Sequence, residues 1–298
     1  MAQKVIVIVG PTASGKSALG ISLARKFGGE IISADSRQVY RGLDIGSGKV
    51  TKREMCGVRH YLLDVTSPRS RYSVARYKKE SEKAIGQIMR KNKVPIIVGG
   101  TGQYVDALIF NKTVPEVPPN FALRKKLEKF SIEKLFLMLK KLDPRRAREI
   151  DRHNPRRLIR AIEIAFALGH IPPSTTLRAS PYEILWIGLT LPAEELCRRI
   201  RSRLLSRLKI GMIAEVKNLR GRGLSWKRLE SFGLEYRYIS LYLQKKLNKQ
   251  AMIGKLQTEI YRYAKRQMTW FKRNQKISWY HPSKPRKIAR LVGNFLNP

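Results

Sequence analysis

Residues 4–17 read KVIVIVGPTASGKS, and this stretch decides the fold. The apolar run Lys4–Val9 predicts a buried strand, and a segment of helical character, Ser17–Phe27, follows it. Between them the chain fits the G-x-x-x-x-G-K-[ST] phosphate-loop pattern at every fixed position. A chance match in a tight strand-to-helix turn is the alternative, but a strand before and a helix after are the context that the loop requires. The sequence therefore predicts a pyrophosphate-like ligand.

The predicted loop offers three kinds of phosphate contact. Its glycines let the backbone approach a phosphate closely, and its N–H groups and the following helix N-terminus attract anions. Lys16 supplies a mobile cation, and the Ser17 hydroxyl can hold magnesium. The residues expected to bind diphosphate are Gly10, Pro11, Thr12, Ala13, Ser14, Gly15, Lys16 and Ser17.

The charge of the chain is the second strong signal. The 298 residues include 61 lysines and arginines against 22 acidic residues, a formal net charge of +39. This excess predicts a polyanionic partner, nucleic acid first and an anionic membrane second. A lysine-rich, solvated surface is the alternative for part of it. Hydrophobic residues make up 43% of the chain, which excludes global disorder.

The sequence also predicts where the protein works. Cys56 and Cys197 are far apart and form no C-x-x-C motif, so we expect neither a disulfide framework nor a zinc site. The first strand begins too early to leave room for a signal peptide, and no apolar run is long enough to span a membrane. We expect a cytoplasmic protein without a membrane partner.

Strands and helices alternate in the first third of the chain. After the phosphate loop, strands are predicted at Glu30–Ser33 and Pro95–Val98, with a helix at Val74–Lys91 before the second. This alternation indicates an α/β fold: a P-loop parallel sheet flanked by helices. Because ligands bind beyond the carboxyl ends of such strands, GPTASGKS, ADSRQ and GGTGQ should lie together.

The pattern changes after Phe110. A proline-rich connection, residues 114–119, precedes basic helical segments, the last of which runs over Pro155–Leu168 with Asn154 as its cap. Residues 111–180 are therefore predicted to form a helical insertion domain. Residues 1–110 and 181–298 form the catalytic core, which regains a strand at Glu183–Leu189 and ends in helices with a short strand at Ile277–Tyr280.

Two strand ends carry candidate catalytic groups. Asp35 can act as a general base or hold magnesium through water, and capping the next element is the alternative. Thr101 offers a hydroxyl beside two glycines, with a packing turn as the alternative. No apolar run followed by an aspartate completes an ATPase-type site.

Two basic segments are candidates for RNA contact. Arg157 and Arg160 share a helix face that suits phosphates, although Arg160 can instead pair with Glu163. Near the C-terminus, cations alternate with aromatic residues from Tyr261 to Arg273. We expect Trp270 and Phe271 in the core, and RNA contact from Lys265, Arg266, Lys272 and Arg273.

In this order, GPTASGKS, DSRQVY, VGGTGQY, NPRRLIRAIEI and AKRQMTWFKR make the chain similar to the tRNA dimethylallyltransferases, the bacterial form of the tRNA isopentenyltransferase family. The motifs span residues 10 to about 273. The resemblance implies a magnesium-dependent, monomeric enzyme that transfers a dimethylallyl group from dimethylallyl diphosphate to the adenosine at position 37, in the tRNA anticodon stem-loop. It assigns catalysis to Asp35, Thr101 and Lys16. The tRNA contacts that it implies are Asp35, Ser36, Arg37, Gln38, Thr101, Arg124, Arg156, Arg157, Arg160, Tyr236, Arg237, Lys265, Arg266 and Gln267.

One segment departs from the family pattern. Family members carry G-Y-[KR]-E/Q before the last helices, whereas this chain has Glu235-Tyr236-Arg237, with Gly233 two residues before Glu235. Glu235 thus takes the place of the usual glycine, and the backbone there is expected to differ.

Two functions other than prenyl transfer would explain part of the sequence. An ATP-dependent phosphotransferase explains the loop but not the charge of +39. A nucleic-acid-binding NTPase explains both but leaves Asp35 and Thr101 without a shared purpose.

Overall fold

The computed structural model describes residues 3–111, 114–169 and 180–297. The chain divides into two compact units, one formed by Met1–Ile109 with Ser180–Pro298 and the other by Phe110–Ala179. Among the described residues, no helix combines the length and apolar character needed to cross a membrane.

The first unit contains a six-stranded sheet with the order β3-β2-β4-β1-β5-β6 in the described part of the chain. Every strand pair in it is parallel, so the predicted α/β class is confirmed. The strands are β1 Gln3–Val9, β2 Gly29–Ala34, β3 His60–Tyr61, β4 Val94–Gly99, β5 Tyr182–Leu189 and β6 Ser278–Tyr280.

The central strand explains why the opening stretch is so apolar. β1 pairs with β4 on one side and β5 on the other, and Val5–Val9 are fully buried. A strand buried on both faces has an unbroken apolar sequence instead of an alternating one. Helices pack on the sheet: α1 Lys16–Phe27, α3 Val74–Met89, α4 Gly102–Ile109 and α14 Pro285–Leu296. The short helix α2, Lys52–Met55, lies in the connection between β2 and β3 and has no buried residue.

A second core lies among the helices that follow β5. Leu204, Met212, Val216, Phe232 and Leu256 are buried together in it. The helices are α9 Ala193–Lys209, α10 Met212–Gly221, α11 Trp226–Ser231, α12 Leu234–Leu243 and α13 Lys249–Phe271. Their packing fixes α9 and α13, which both contribute to the candidate site.

The second unit is helical. Each of its helices begins at a side chain that accepts a hydrogen bond from the N–H group three residues on, which is the geometry of an N-cap. Asn154 is such a cap, as predicted. The helices are α5 Phe121–Leu127, α6 Ile132–Leu142, α7 Pro144–Glu149 and α8 Pro155–Leu168.

Candidate active site

Three strand ends meet at one edge of the sheet. β2, β4 and β1 are neighbours and run in parallel, so their carboxyl ends bring together Asp35, Thr101 and the phosphate loop. Hydrogen bonds join two of these ends: the Thr101 N–H donates to Ala34 O over 3.1 Å, and the Ser36 N–H donates to Thr101 Oγ1 over 3.1 Å. The predicted meeting of the motifs is therefore present in the structure.

The loop between β1 and α1 needs both of its glycines. Gly10 has φ +141°, and a Cβ there would lie 2.5 Å from Leu189 O. Gly15 caps α1 with φ 92°. Residues that carry a side chain rarely adopt these φ values, so the loop conformation depends on glycine. The N-terminus of α1 then faces the loop and favours an anion.

The protonation state of Lys16 is sensitive to a bound anion. Its ammonium group donates to Pro11 O over 2.6 Å. Burial, and then the positive charge of Arg203, lower the pKa of Lys16 to about 7, while Asp35 raises it. A bound anion would restore the full positive charge of Lys16, so the group suits a diphosphate.

Asp35 is oriented by the backbone that follows it. The N–H groups of Arg37 and Gln38 donate to its Oδ1 over 2.8 and 3.4 Å. The carboxylate is only partly buried and lies on the wall of a cavity. Tyr263 lies on the same wall, and burial followed by the charge of Asp35 raises the pKa of its phenol.

Gln267 connects the phosphate loop to the end of β4. Its Oε1 accepts from the Thr12 N–H over 2.8 Å, and its Nε2 donates to Gly100 O over 2.8 Å. The side chain is buried, and a Cβ on Gly100 would lie 2.2 Å from Nε2. Both the oxygen and the nitrogen of the Gln267 amide are thus hydrogen-bonded to main-chain groups. We predicted a tRNA contact here, but the structure gives Gln267 the position of a clamp on the loop.

Replacing Gln267 by leucine is expected to lower the free energy of unfolding. The change leaves the Thr12 N–H and the Gly100 carbonyl without partners, at a cost of about 1–3 kcal/mol for each buried group. Urea unfolding measures the loss. Gln257→Leu, on the same helix, is the control and should change stability little. Equal stability of both variants would contradict a role of Gln267 in holding the phosphate loop to the end of β4.

A cavity of about 1540 Å³ opens in front of the strand ends. Its lining carries Lys16, Asp35, Gln38, Gln267 and Tyr263 together with a surplus of cations. Among the described residues that line it, the cations are Lys16, Arg25, Lys26, Lys49, Arg198, Arg199, Arg203 and Arg207, and the carboxylates are Asp35, Asp44 and Glu54. Such a surplus attracts a polyanion.

The arginines of α9 were missed in the sequence analysis. The Arg203 guanidinium donates to Thr12 Oγ1, inside the phosphate loop. Burial, and then the charge of Arg207, lower the pKa of Arg203 to about 10. Arg199, Arg203 and Arg207 recur every four residues, a spacing that puts them on one helix face. That stripe was the available signal.

The loop at residues 44–48 forms another wall of the cavity, and Glu215 holds it. Glu215 accepts from the N–H groups of Asp44, Ile45 and Gly46 over 2.9, 2.6 and 3.1 Å. The Tyr236 hydroxyl donates to the same carboxylate over 2.9 Å.

Tyr236 requires a correction. We expected it to touch tRNA, but its side chain is only 1% exposed and lies in the helical core. A buried ring with its hydroxyl bonded to Glu215 offers no surface to RNA, so its position is structural.

The other expected tRNA contacts of the first unit vary in exposure. Arg237, Lys265 and Arg266 are exposed, and Ser36 and Arg37 are partly buried. Gln38 is tied at both ends of its amide: Ser33 Oγ donates to Oε1 over 3.0 Å, and Nε2 donates to Gly48 O over 3.2 Å. As predicted, Phe271 is in the core; Trp270 is only partly buried.

In the second unit, two predicted RNA contacts hold a buried carboxylate. Arg124 donates to Glu163 through Nε and Nη2 over 2.9 and 2.7 Å, and Arg160 donates to it over 2.5 Å. Arg160 also bonds Val117 O in the proline-rich connection. The alternative pairing with Glu163 is therefore the one observed for Arg160. Arg156 and Arg157 are exposed, and Arg157 lies 3.7 Å from Asp151.

Glu163→Gln is expected to destabilise the protein by about 2–3 kcal/mol. Its side chain is 1% exposed, and removal of a buried charge leaves two guanidinium groups without a counter-ion. Partial exposure of both arginines reduces the cost below that of a fully buried pair. Chemical unfolding measures it, with Glu149→Gln as the control because Glu149 is exposed. A loss no larger than the control's would show that the cluster contributes little.

The departure at Glu235 leaves the backbone regular. Gly233, with φ 113°, caps α12, and Glu235 lies in the first turn of that helix, where an acidic residue is favourable. The glycine that the turn needs is two residues earlier than in the family pattern. Glu235 instead adds a carboxylate near Arg207, whose nitrogen lies 3.8 Å away.

The residues present fit a magnesium ion held jointly with phosphate. No group of three or more His, Cys, Asp or Glu side chains in the described ranges could hold a metal alone. Ser17 and Asp35 line one cavity and offer oxygen donors. Mg²⁺ commonly uses one or two protein oxygens and takes its other ligands from phosphates and water.

The chain is similar to proteins of one enzyme family. The IPP transferase family model matches residues 38–274. A tRNA dimethylallyltransferase of Pelotomaculum thermopropionicum is 40% identical over 284 residues, which cover 93% of this chain and 90% of that protein. One from Anoxybacillus flavithermus is 37% identical and covers all of this chain and 96% of that protein.

Solved structures show the same architecture. The full-length tRNA isopentenylpyrophosphate transferase of Bacillus halodurans has a TM-score of 0.74 and 33% identity, over 99% of this chain and 96% of that chain. A eukaryotic dimethylallyltransferase acting on tRNA has a TM-score of 0.84 and 28% identity, over 99% and 79% of the two chains.

Proposed function

Because the chain belongs to the IPP transferase family, we propose that it transfers a dimethylallyl group from dimethylallyl diphosphate to the exocyclic amine of adenosine 37 in tRNA, releasing diphosphate. One observation carries the proposal at this site. Asp35, the phosphate loop and a surplus of cations line one cavity, and Thr101 bonds the segment that follows Asp35. A base and an anion cradle facing the same space suit transfer from a diphosphate.

The donor half of the reaction uses the phosphate loop. Breaking the allylic C–O bond builds negative charge on the bridging oxygen. The loop N–H groups, the Lys16 ammonium and the guanidinium of Arg203, which bonds Thr12, are positioned to stabilise that charge. Magnesium, held by the Ser17 hydroxyl in this proposal, would supply further charge neutralisation for the leaving diphosphate.

The acceptor half of the reaction uses Asp35 and Thr101. The adenine amine is a weak nucleophile that loses a proton as the C–N bond forms. Asp35 takes that proton, since its carboxylate is already oriented by two N–H groups and faces the cavity. The Thr101 hydroxyl lies beside it. The adenosine must leave its stack to reach the cavity, so base flipping is part of the proposal.

The proposal also covers the tRNA contacts, the oligomeric state and the cellular location of the enzyme. The exposed cations Arg156, Arg157, Arg237, Lys265 and Arg266 suit the phosphates of the anticodon stem-loop. The helical unit serves as the tRNA-contacting insertion of a catalytic core. We include in the proposal a monomeric enzyme that acts in the cytoplasm; a tRNA acceptor and the two free cysteines support that location.

A thermal shift assay separates this function from the two others that explain the loop. Dimethylallyl diphosphate with magnesium should raise the melting temperature, whereas ATP with magnesium should not. Protection by ATP alone would favour the phosphotransferase or the NTPase and contradict the donor proposed here.

A further inference from the structure

Arg207 occupies a place in the cavity that the proposed chemistry has not used. It lies one helical turn beyond Arg203, which bonds the phosphate loop, and both side chains line the same cavity. The Arg207 side chain is 14% exposed. It passes so close to Gly48 that a Cβ there would lie 1.6 Å from its Nη2. The absence of a side chain at Gly48 thus leaves room for the guanidinium.

The guanidinium itself is loosely held. Within the described residues, its hydrogen bond is to Gly46 O over 3.5 Å, and its ion pair with Glu235 spans 3.8 Å. Neither contact has the short, forked geometry of a locked arginine–carboxylate pair. A buried guanidinium with five donors and only these contacts can turn towards an anion that enters the cavity.

Glu235 adds the counter-charge. Its side chain is 21% exposed, and it interacts with the charges of Arg207, Arg203 and Asp35. Arg207 thus lines the cavity on one side and lies near the Glu235 carboxylate, which is not part of the cavity lining, on the other. A negative charge beside Arg207 keeps the cation in place when the cavity holds no anion, and it weakens the attraction for an anion once bound.

We propose that Arg207 is a further ligand of the diphosphate group, and that Glu235 is its counter-ion, tuning how firmly diphosphate is held. This inference rests on the proposed function, since it assigns a subsite of the same cavity. Arg207 contributes to binding of the allylic diphosphate, and Glu235 competes with the released diphosphate for Arg207, which favours departure of the product.

The test is isothermal titration of the full-length protein with inorganic diphosphate and magnesium. Arg207→Met is expected to raise Kd about tenfold or more, because one charged contact is lost. The Kd of Arg207→Lys should lie between the values for the wild type and Arg207→Met, because lysine keeps the positive charge but lacks the paired N–H donors of the guanidinium. Glu235→Gln is expected to lower Kd several-fold. Arg201→Met, an exposed arginine of the same helix, is the control and should match the wild type.

Further measurements distinguish binding from folding. The melting temperature and the Kd for tRNA should be similar in all variants, while Arg207→Met raises KM for dimethylallyl diphosphate more than it lowers kcat. An unchanged Kd for diphosphate in Arg207→Met overturns the subsite. An unchanged or higher Kd in Glu235→Gln overturns the counter-ion. If the wild type binds no diphosphate, the proposed function fails as well, a result distinct from equal binding by wild type and variants.

Discussion

Replacing Asp35 by asparagine should lower the rate of dimethylallyl transfer by about 10²–10⁴-fold, the range for removal of a general base. The substitution removes the base but keeps the hydrogen-bond acceptor, because asparagine retains the Oδ1 oxygen. The N–H groups of Arg37 and Gln38, which donate to that atom over 2.8 and 3.4 Å, retain their acceptor. The turn that follows β2 therefore keeps its shape, and only the proton acceptor is lost.

Single-turnover kinetics with saturating tRNA and donor measure this effect. The Kd for tRNA should change little, because a cavity carboxylate supplies little of the electrostatic affinity for RNA. Asp44→Asn is a matched control, since Asp44 also lines the cavity but pairs with Lys49 over 2.5 Å. A turnover rate of Asp35→Asn within a few-fold of the wild type would remove Asp35 as the base.

Replacing Lys16 by methionine should lower the transfer rate by about 10²–10³-fold, the effect of losing one group that stabilises developing negative charge. Methionine preserves most of the side-chain length, but it removes the cation and the hydrogen bond to Pro11 O. Binding of dimethylallyl diphosphate should weaken at the same time, because Lys16 attracts the diphosphate in the ground state as well.

The lowered pKa of Lys16 predicts how diphosphate binding depends on pH. The pKa of Lys16 in the free protein is about 7, lowered by burial and then by the charge of Arg203. A bound anion raises that pKa, so binding takes up a proton above pH 7, and affinity should fall as the pH rises from about 7. Titrations in buffers of different ionisation enthalpy measure the proton uptake. In Lys16→Met the uptake should disappear; its persistence would assign the proton to another group.

The fold class follows from the sequence because the central strands are unbroken apolar runs. The predicted strand Lys4–Val9 is β1 within one residue at its start, and Pro95–Val98 lies inside β4. β3 was not predicted, since two residues carry no periodic pattern. The six-residue helix α7 was missed for a similar reason, although Pro144 at its start is a recognisable signal.

The site was predictable where its residues lie at strand ends. Parallel strands deliver their carboxyl ends to one edge, so the phosphate loop, Asp35 and Thr101 could be placed together from the chain alone. Gln267 could not be placed as a clamp, because 255 residues separate it from Thr12. Its neighbours Lys265 and Arg266 are exposed, and only the packing of α13 turns Gln267 inward.

The arginines of α9 illustrate the limit of charge patterns. A helix with arginines every four residues usually presents a solvated face. The same pattern lines a cavity here because the core shared by α9 to α13 fixes the direction of that face. In the second unit, Arg124 and Arg160 were expected to contact RNA; the structure pairs both with Glu163 and leaves them partly exposed, so their RNA contact stays a prediction.

Product analysis tests the central claim most directly. Purified protein, magnesium, unmodified tRNA and dimethylallyl diphosphate are incubated, and the digested nucleosides are examined by mass spectrometry, with Asp35→Asn as the parallel control. We expect an adenosine heavier by one dimethylallyl group, located at position 37, from the wild type and almost none from the variant. Adenosine of unchanged mass, from wild-type protein that still binds the tRNA, would contradict dimethylallyl transfer as the function of this site.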